Sequence, residues 1–104
     1  MVSTTLATDT KYLDQIKSIL IRALADKPYT LYLFGSRAAG TNNPLSDFDM
    51  AVDSVEDLSF ELSLARDRLE ESTIPFKVDV VDLRSVSADF ARKVALQGVV
   101  LWKN

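Results

Sequence analysis

Apolar residues recur every three or four positions in three stretches of the chain, a spacing that is typical of amphipathic helices. The three predicted helices cover residues 10–27, residues 58–74 and residues 87–97. Pro28 and Pro75 end the first two helices, while Ser87 is a plausible N-cap and Gly98 a plausible stop for the third. Residues 1–9 are polar and are expected to be flexible.

Between these stretches lie short, mostly apolar runs, which predict β-strands. The three predicted strands are Thr30–Phe34, Phe48–Val52 and Phe76–Val81. Residues 35–44 read as a loop with a short helical turn at 37–39, and the apolar tail 99–102 is expected to add an edge strand or to dock on the core. The order α-β-β-α-β-α predicts an α/β (α+β) fold, with a small mixed sheet covered by helices in a single domain spanning residues 1–104.

Composition restricts the chemistry that the chain can carry. The 104 residues include neither cysteine nor histidine, which excludes disulfides, thiolate metal sites and the commonest general base. A metal would have to be held by oxygen, which favours Mg²⁺ or Mn²⁺ over zinc. The net charge of −3 provides no basic patch for long nucleic acid.

Nothing in the sequence indicates a membrane protein. No apolar stretch approaches the roughly 20 residues that a spanning helix needs. The N-terminal residues lack the basic and apolar regions of a signal peptide. A cytoplasmic location without membrane contact is therefore expected.

Two carboxylates one residue apart are the strongest chemical signal. Asp47 and Asp49 bracket the start of the second predicted strand, where residues two apart project to the same face. Like charges held that close repel unless a cation lies between them. Mg²⁺, which usually arrives with substrate phosphates, is the expected cation.

A third carboxylate, Asp79, interrupts the third predicted strand. Lys77 shares its face, so an ordinary ion pair along the strand is the alternative. If this strand lies beside the second strand, three carboxylates converge, as two-metal phosphoryl or nucleotidyl transfer requires. Asp82 is expected to be a turn residue and Asp53 a loop residue.

Gly35 and Ser36 follow a buried strand directly, where backbone N–H groups can cradle a phosphate. The alternative is that Gly-Ser is only a turn. Arg37 can pair with a phosphate or with a surface carboxylate.

Together these motifs resemble the signature of minimal nucleotidyltransferases (MNT) in the DNA polymerase beta superfamily. The matching residues are Phe34-Gly35-Ser36, ten intervening residues, Asp47-Phe48-Asp49, and then Val78-Asp79-Val80. The resemblance implies the nucleotidyltransferase fold, with Gly35, Ser36 and Arg37 at the nucleoside triphosphate. It also implies that Asp47, Asp49 and Asp79 are catalytic and hold two Mg²⁺ ions, Asp79 assisting the acceptor.

The resemblance further implies the antitoxin half of a HEPN–MNT toxin–antitoxin pair, encoded near its partner. Such a protein transfers AMP from ATP to a tyrosine of the HEPN ribonuclease toxin. A non-catalytic antitoxin that acts by binding alone, and nucleotidyl transfer to a small molecule, remain alternatives. The short chain leaves no room for an acceptor-binding domain, so a partner protein or a second copy of the chain is expected to supply that surface.

Overall fold

The computed structural model describes residues 4–43 and 45–104, which form alternating helices and strands. These are α1 (Thr4–Leu24), β1 (Thr30–Phe34), α2 (Gly35–Ala39), β2 (Phe48–Asp53), α3 (Ser59–Glu71), β3 (Val78–Asp82), α4 (Ala88–Gln97) and β4 (Val99–Lys103). The predicted α/β class, a small mixed sheet with helices on its faces, is confirmed. Within the described residues, no helix is both long enough and apolar enough to cross a membrane.

The four strands form one sheet in the order β3-β2-β1-β4. β1 runs antiparallel to both β2 and β4, whereas β2 and β3 are parallel. A parallel pair needs a long crossover connection, which α3 provides here. The third predicted strand therefore does lie beside the second.

The two faces of the sheet are covered unequally. The apolar stripes of α1 and α3 pack together on one face, where Ile16, Leu20 and Leu62 are almost completely buried. Each such side chain contributes about 1.5–3 kcal/mol by leaving water. On the opposite face α4 contributes a single buried residue, Val94, to a small cluster with Tyr32. That second face has room for a functional site.

The N-terminal helix is longer than predicted. α1 begins at Thr4, six residues before the predicted start, and residues 1–3 lie outside the described part of the chain. The flexibility expected of residues 1–9 stays a prediction. Extending an existing helix adds one hydrogen bond per residue without a new nucleation cost, so polar residues can continue it.

The structure has eight helices and strands in its described residues, two more than the six in the predicted order. The sequence had suggested these two only as a short helical turn and a possible edge strand. Residues 35–39 form α2, which directly follows β1, and the C-terminal tail forms the edge strand β4. β4 exists because its backbone pairs with the free edge of β1. The strand limits also shift, since β3 begins at Val78, and Asp53 ends β2 opposite Thr30 instead of lying in a loop.

The ends of α4 follow the prediction. The Ser87 hydroxyl accepts a hydrogen bond from the Phe90 N–H at 3.1 Å and caps the helix. Gly98 ends it with an ordinary φ of −76°. A Cβ at Gly98 would lie 2.6 Å from the Val94 carbonyl oxygen, so glycine is required for close approach and not for a left-handed backbone.

Candidate functional site

Asp49 and Asp79 lie side by side in the sheet. Asp49 on β2 is in register with Asp79 on β3 and, on its other side, with Phe34 at the end of β1. Residues in register on neighbouring strands project to the same face. This is the face on which α4 packs, because Phe34 belongs to the cluster around Val94. The sheet brings these two predicted site residues together.

Asp47 is placed differently, immediately before β2 in an exposed position. The next residue, Phe48, begins the strand, and its N–H donates to the Lys77 carbonyl at 3.0 Å. Asp47 is therefore carried by the lead-in to the sheet and not by the strand ladder. It is nevertheless close enough to Asp49 for their charges to interact.

The electrostatics of the site are repulsive. Burial raises the pKa of Asp49, and the charges of Asp79 and Asp47 raise it further, against a smaller opposing effect of Lys77. Lys77 Nζ lies 3.8 Å from Asp79 Oδ1, which is the alternative ion pair considered from the sequence. An exposed pair of this kind contributes little, at most about 1 kcal/mol. This ion pair does not offset the repulsion at Asp49, where the effect of Lys77 is smaller than those of Asp79 and Asp47.

The carboxylates fit a cation whose other ligands are water and substrate phosphates. Across residues 4–43 and 45–104, no three acidic side chains stand close enough to form a complete metal cage. Mg²⁺ normally retains water and takes only one or two carboxylates together with substrate phosphates. An in-register pair with a third carboxylate nearby matches that coordination better than it matches a closed structural site.

Gly35 makes the glycine turn part of the same site. Its φ is +76°, a left-handed conformation that costs other residues energy. A Cβ at this position would lie 2.3 Å from Asp49 Oδ2. Glycine is thus needed both for the backbone conformation and for the space that the Asp49 carboxylate occupies, and the backbone that starts α2 lies directly against the predicted metal ligand.

A cavity of about 460 Å³ opens beside Ser36, between α2 and α4. Its walls on α4 include Phe90, Lys93 and Gln97. Sequence reasoning did not select these residues, because no motif marks them. The available signal was their spacing of three and seven residues, which places them on one side of a helix.

Arg37 was predicted to bind the nucleotide, and in the structure its side chain contacts Ser46 and Phe48. Its Nη2 and Nε donate to the Ser46 carbonyl oxygen at 2.7 and 3.1 Å. Its guanidinium carbon lies 3.9 Å from the centre of the Phe48 ring. These contacts hold the segment before Asp47, and a role at the phosphates stays a prediction.

The remaining predicted residues have local roles. Asp82 Oδ1 accepts the Arg84 N–H at 2.9 Å, as expected of a turn residue. In the loop before β2, the Asn43 N–H donates to Ser46 Oγ at 3.0 Å. The loop predicted at residues 35–44 ends at Pro44, which lies outside the described residues.

Comparison with protein families identifies a match over most of the chain. The family model described as "Polymerase beta, Nucleotidyltransferase" matches residues 14–104. A "Probable protein adenylyltransferase MntA" from Haemophilus influenzae is 40% identical over 90 residues, which cover 83% of this chain and 75% of that protein.

Solved structures show the same architecture. A toxin–antitoxin crystal structure with AMP-PNP superimposes with a TM-score of 0.68 and 33% identity, covering 86% of this chain and 73% of the matched one. A second match is a chain in the structure of a tri-AMPylated Shewanella oneidensis HEPN toxin in complex with an MNT antitoxin. It superimposes with a TM-score of 0.61 and 27% identity, covering 97% of this chain and 74% of the matched one. The chain thus spans about three quarters of these relatives.

Proposed function

Because this chain belongs to the polymerase beta nucleotidyltransferase family, we propose that it transfers AMP from ATP to a hydroxyl group of a HEPN toxin and acts as the antitoxin. Tyrosine is the expected acceptor. The observation that carries the proposal is the in-register pair of Asp49 and Asp79 with Gly35 packed against it. The relatives that bind AMP-PNP or accompany an AMPylated toxin support the same assignment.

The three aspartates would hold Mg²⁺, or Mn²⁺ in its place, in a two-ion arrangement. The chemistry that the ions supply when bound is neutralisation of phosphate charge and activation of the acceptor oxygen. Asp49 and Asp79 contribute from the sheet, and Asp47 contributes from its edge. Mutual repulsion of the carboxylates makes cation binding favourable, since it removes that repulsion.

The other groups position the nucleotide. Backbone N–H groups at the start of α2 and the Ser36 hydroxyl can donate hydrogen bonds to a phosphate. The cavity beside Ser36 accommodates the rest of the nucleotide, where the Lys93 ammonium complements negative charge. Phe90 lines the same wall.

In the transfer step the acceptor oxygen forms a bond to the α-phosphorus, and the bond from that phosphorus to the bridging oxygen of the β-phosphate breaks. Pyrophosphate leaves with the bonding electrons. The proton of the acceptor hydroxyl passes to a carboxylate, since the chain has no histidine. We assign this role to Asp79, which lies on the edge strand β3 with a side chain that is 44% exposed.

Intact-mass spectrometry of the HEPN-type toxin encoded nearby tests the proposal. Incubation with this protein, Mg²⁺ and ATP is expected to add one or more AMP groups. The variant Asp47→Asn/Asp49→Asn should add none. The matched control is Asp53→Asn/Asp82→Asn, which removes two carboxylates at the other ends of β2 and β3 and should leave the transfer unchanged.

The alternative of an antitoxin that acts by binding alone predicts a different result. The Asp47→Asn/Asp49→Asn variant would then still neutralise the toxin in cells and form a complex with it, and the wild type would leave the toxin mass unchanged. That combination would refute AMP transfer.

A further inference from the structure

The position of Asp47 depends on the segment that leads into β2. Two hydrogen bonds form within this segment. The Asn43 N–H donates to Ser46 Oγ at 3.0 Å, and the Ser46 N–H donates to the Asn43 carbonyl at 3.1 Å. Such local bonds shape the turn but do not determine where it lies relative to the sheet. A contact to the body of the protein must do that.

Arg37 provides this contact from α2. Two of its N–H groups donate to the Ser46 carbonyl, at 2.7 Å from Nη2 and 3.1 Å from Nε, and this carbonyl belongs to the peptide unit that joins Ser46 to Asp47. On the other side, the Phe48 N–H donates to the Lys77 carbonyl at 3.0 Å. The backbone of Asp47 is therefore held at both ends, once by a side chain and once by the sheet.

The guanidinium group is itself held in place by aromatic rings. Its central carbon lies 3.9 Å from the centre of the Phe48 ring and 5.2 Å from that of Phe76. Phe48 is only 1% exposed, and its ring packs edge-on against Phe76 at 5.6 Å. A planar fork that stacks on an aromatic face is a property of arginine that lysine lacks.

We propose that Arg37 is a positioning residue that orients Asp47 toward Asp49 for cation binding, a role distinct from contact with the triphosphate. The inference rests on the proposed function, since it requires that a cation binds at these carboxylates. The position of α2 supports the proposal. This helix starts at Gly35, which lies against Asp49, and it also carries Arg37, which binds the segment before Asp47. One short helix thus links both halves of the site.

Binding of Mn²⁺, followed by electron paramagnetic resonance in the presence of a non-hydrolysable ATP analogue, tests the proposal. Arg37→Lys is expected to raise the Mn²⁺ dissociation constant about tenfold, as is usual when the support of a metal ligand is lost. Binding of the analogue without metal should stay within about twofold of the wild type. Loss of metal-free nucleotide binding in Arg37→Ala, with retention in Arg37→Lys, would instead assign Arg37 to the phosphates and overturn the proposal.

A matched control is available on α3. Arg66 donates the same kind of fork, from Nη2 at 2.8 Å and Nε at 3.3 Å, to the Val80 carbonyl. Val80 follows Asp79, whose position is set by the strand ladder. Arg66→Lys should therefore lower the melting temperature while leaving the Mn²⁺ dissociation constant within about twofold.

A double-mutant cycle separates positioning from general loss of structure. In the Asp47→Asn background, Arg37→Lys should weaken Mn²⁺ binding no further, because the carboxylate that it positions is gone. Additive effects of the two substitutions would contradict the proposal. If the wild type fails to bind Mn²⁺ or to modify the toxin, the proposed function itself fails, whereas equal Mn²⁺ binding by wild type and Arg37→Lys removes only the role of Arg37.

Discussion

The carboxylates of the site are held in two different ways. Asp49 and Asp79 lie on strands whose backbones are paired in register, whereas Asp47 lies on a lead-in segment whose Ser46 carbonyl accepts hydrogen bonds from the Arg37 side chain. Backbone pairing is shared by every residue of a strand, so no single side chain controls it. A side-chain fork can be lost by one substitution. The site therefore has a rigid part in the sheet and an adjustable part beside it.

The comparison also concerns space. The Asp49 carboxylate is confined by the backbone of Gly35, while Asp47 is exposed. A confined ligand tolerates little change of length or position, whereas an exposed ligand can adjust its side chain. The following predictions test this contrast, beginning with the largest expected effect.

Gly35→Ala should reduce AMP transfer by about 100-fold, the scale expected when a catalytic group is displaced by about 1 Å. The new Cβ would lie 2.3 Å from Asp49 Oδ2, so the carboxylate must move. Because alanine is strained in the left-handed conformation of this position, the substitution should also lower the free energy of unfolding by about 1–2 kcal/mol. Rates of toxin AMPylation and urea denaturation measure the two effects separately.

Gly40→Ala is the control for this prediction. Gly40 has nearly the same φ, +77°, but a Cβ there would meet no atom within 4 Å. It should lose similar stability and keep nearly full activity. Equal loss of activity in both variants would show that backbone strain, and not the position of Asp49, limits the reaction.

Lengthening the carboxylates should separate the two parts of the site. Asp47→Glu is expected to retain about tenfold more activity than Asp49→Glu, because the exposed side chain can adjust whereas the one against Gly35 cannot. A tenfold difference corresponds to about 1.4 kcal/mol in the barrier. Single-turnover AMPylation at saturating Mg²⁺ measures it, and equal losses would contradict the rigid-versus-adjustable distinction.

The smallest expected effect is on stability and its dependence on pH. The raised pKa of Asp49 means that the folded protein binds this proton more tightly than the unfolded chain does. The free energy of unfolding therefore falls as pH rises from the ordinary value of 3.8 through the raised pKa. Asp49→Asn should be more stable than wild type at pH 7, with a gap that narrows as the pH falls.

Urea denaturation across that pH range measures the gap, with Asp82→Asn as the control that should show no such gain. Adding Mg²⁺ and the ATP analogue should stabilise the wild type by mass action and reduce the advantage of Asp49→Asn. A gap that stays constant with pH would argue against repulsion at Asp49.

Much of the fold could be predicted because its signals are local. The stripe that contains Ile16, Leu20 and Leu24 repeats at helical spacing, and all three side chains are buried against the sheet. Ser87 caps its helix by accepting a hydrogen bond from Phe90, only three positions away. Asp49 could be selected because a carboxylate within an apolar strand needs a partner, a requirement that is visible in a few residues.

Other features could not be predicted, because they depend on partners far away in the chain. β4 is a strand because β1 offers a free edge about 70 residues earlier. Lys93 and Phe90 line the cavity beside Ser36 only because α4 packs on the same face as the aspartates. Arg37 could be expected to meet a phosphate or a carboxylate, whereas its hydrogen bonds to the Ser46 carbonyl, nine positions away, could not be predicted.

By itself the sequence determined which residues are candidates for the proposed chemistry, since residue type, strand alternation and the spacing of the glycine and the aspartates are local properties. The tertiary structure alone decided how those residues are held, because register, crossover and helix placement follow from packing between distant segments. The parallel pairing of β2 with β3 aligns Asp49 with Asp79. The stacking of the Arg37 guanidinium on the Phe48 ring brings it to the Ser46 carbonyl, next to Asp47.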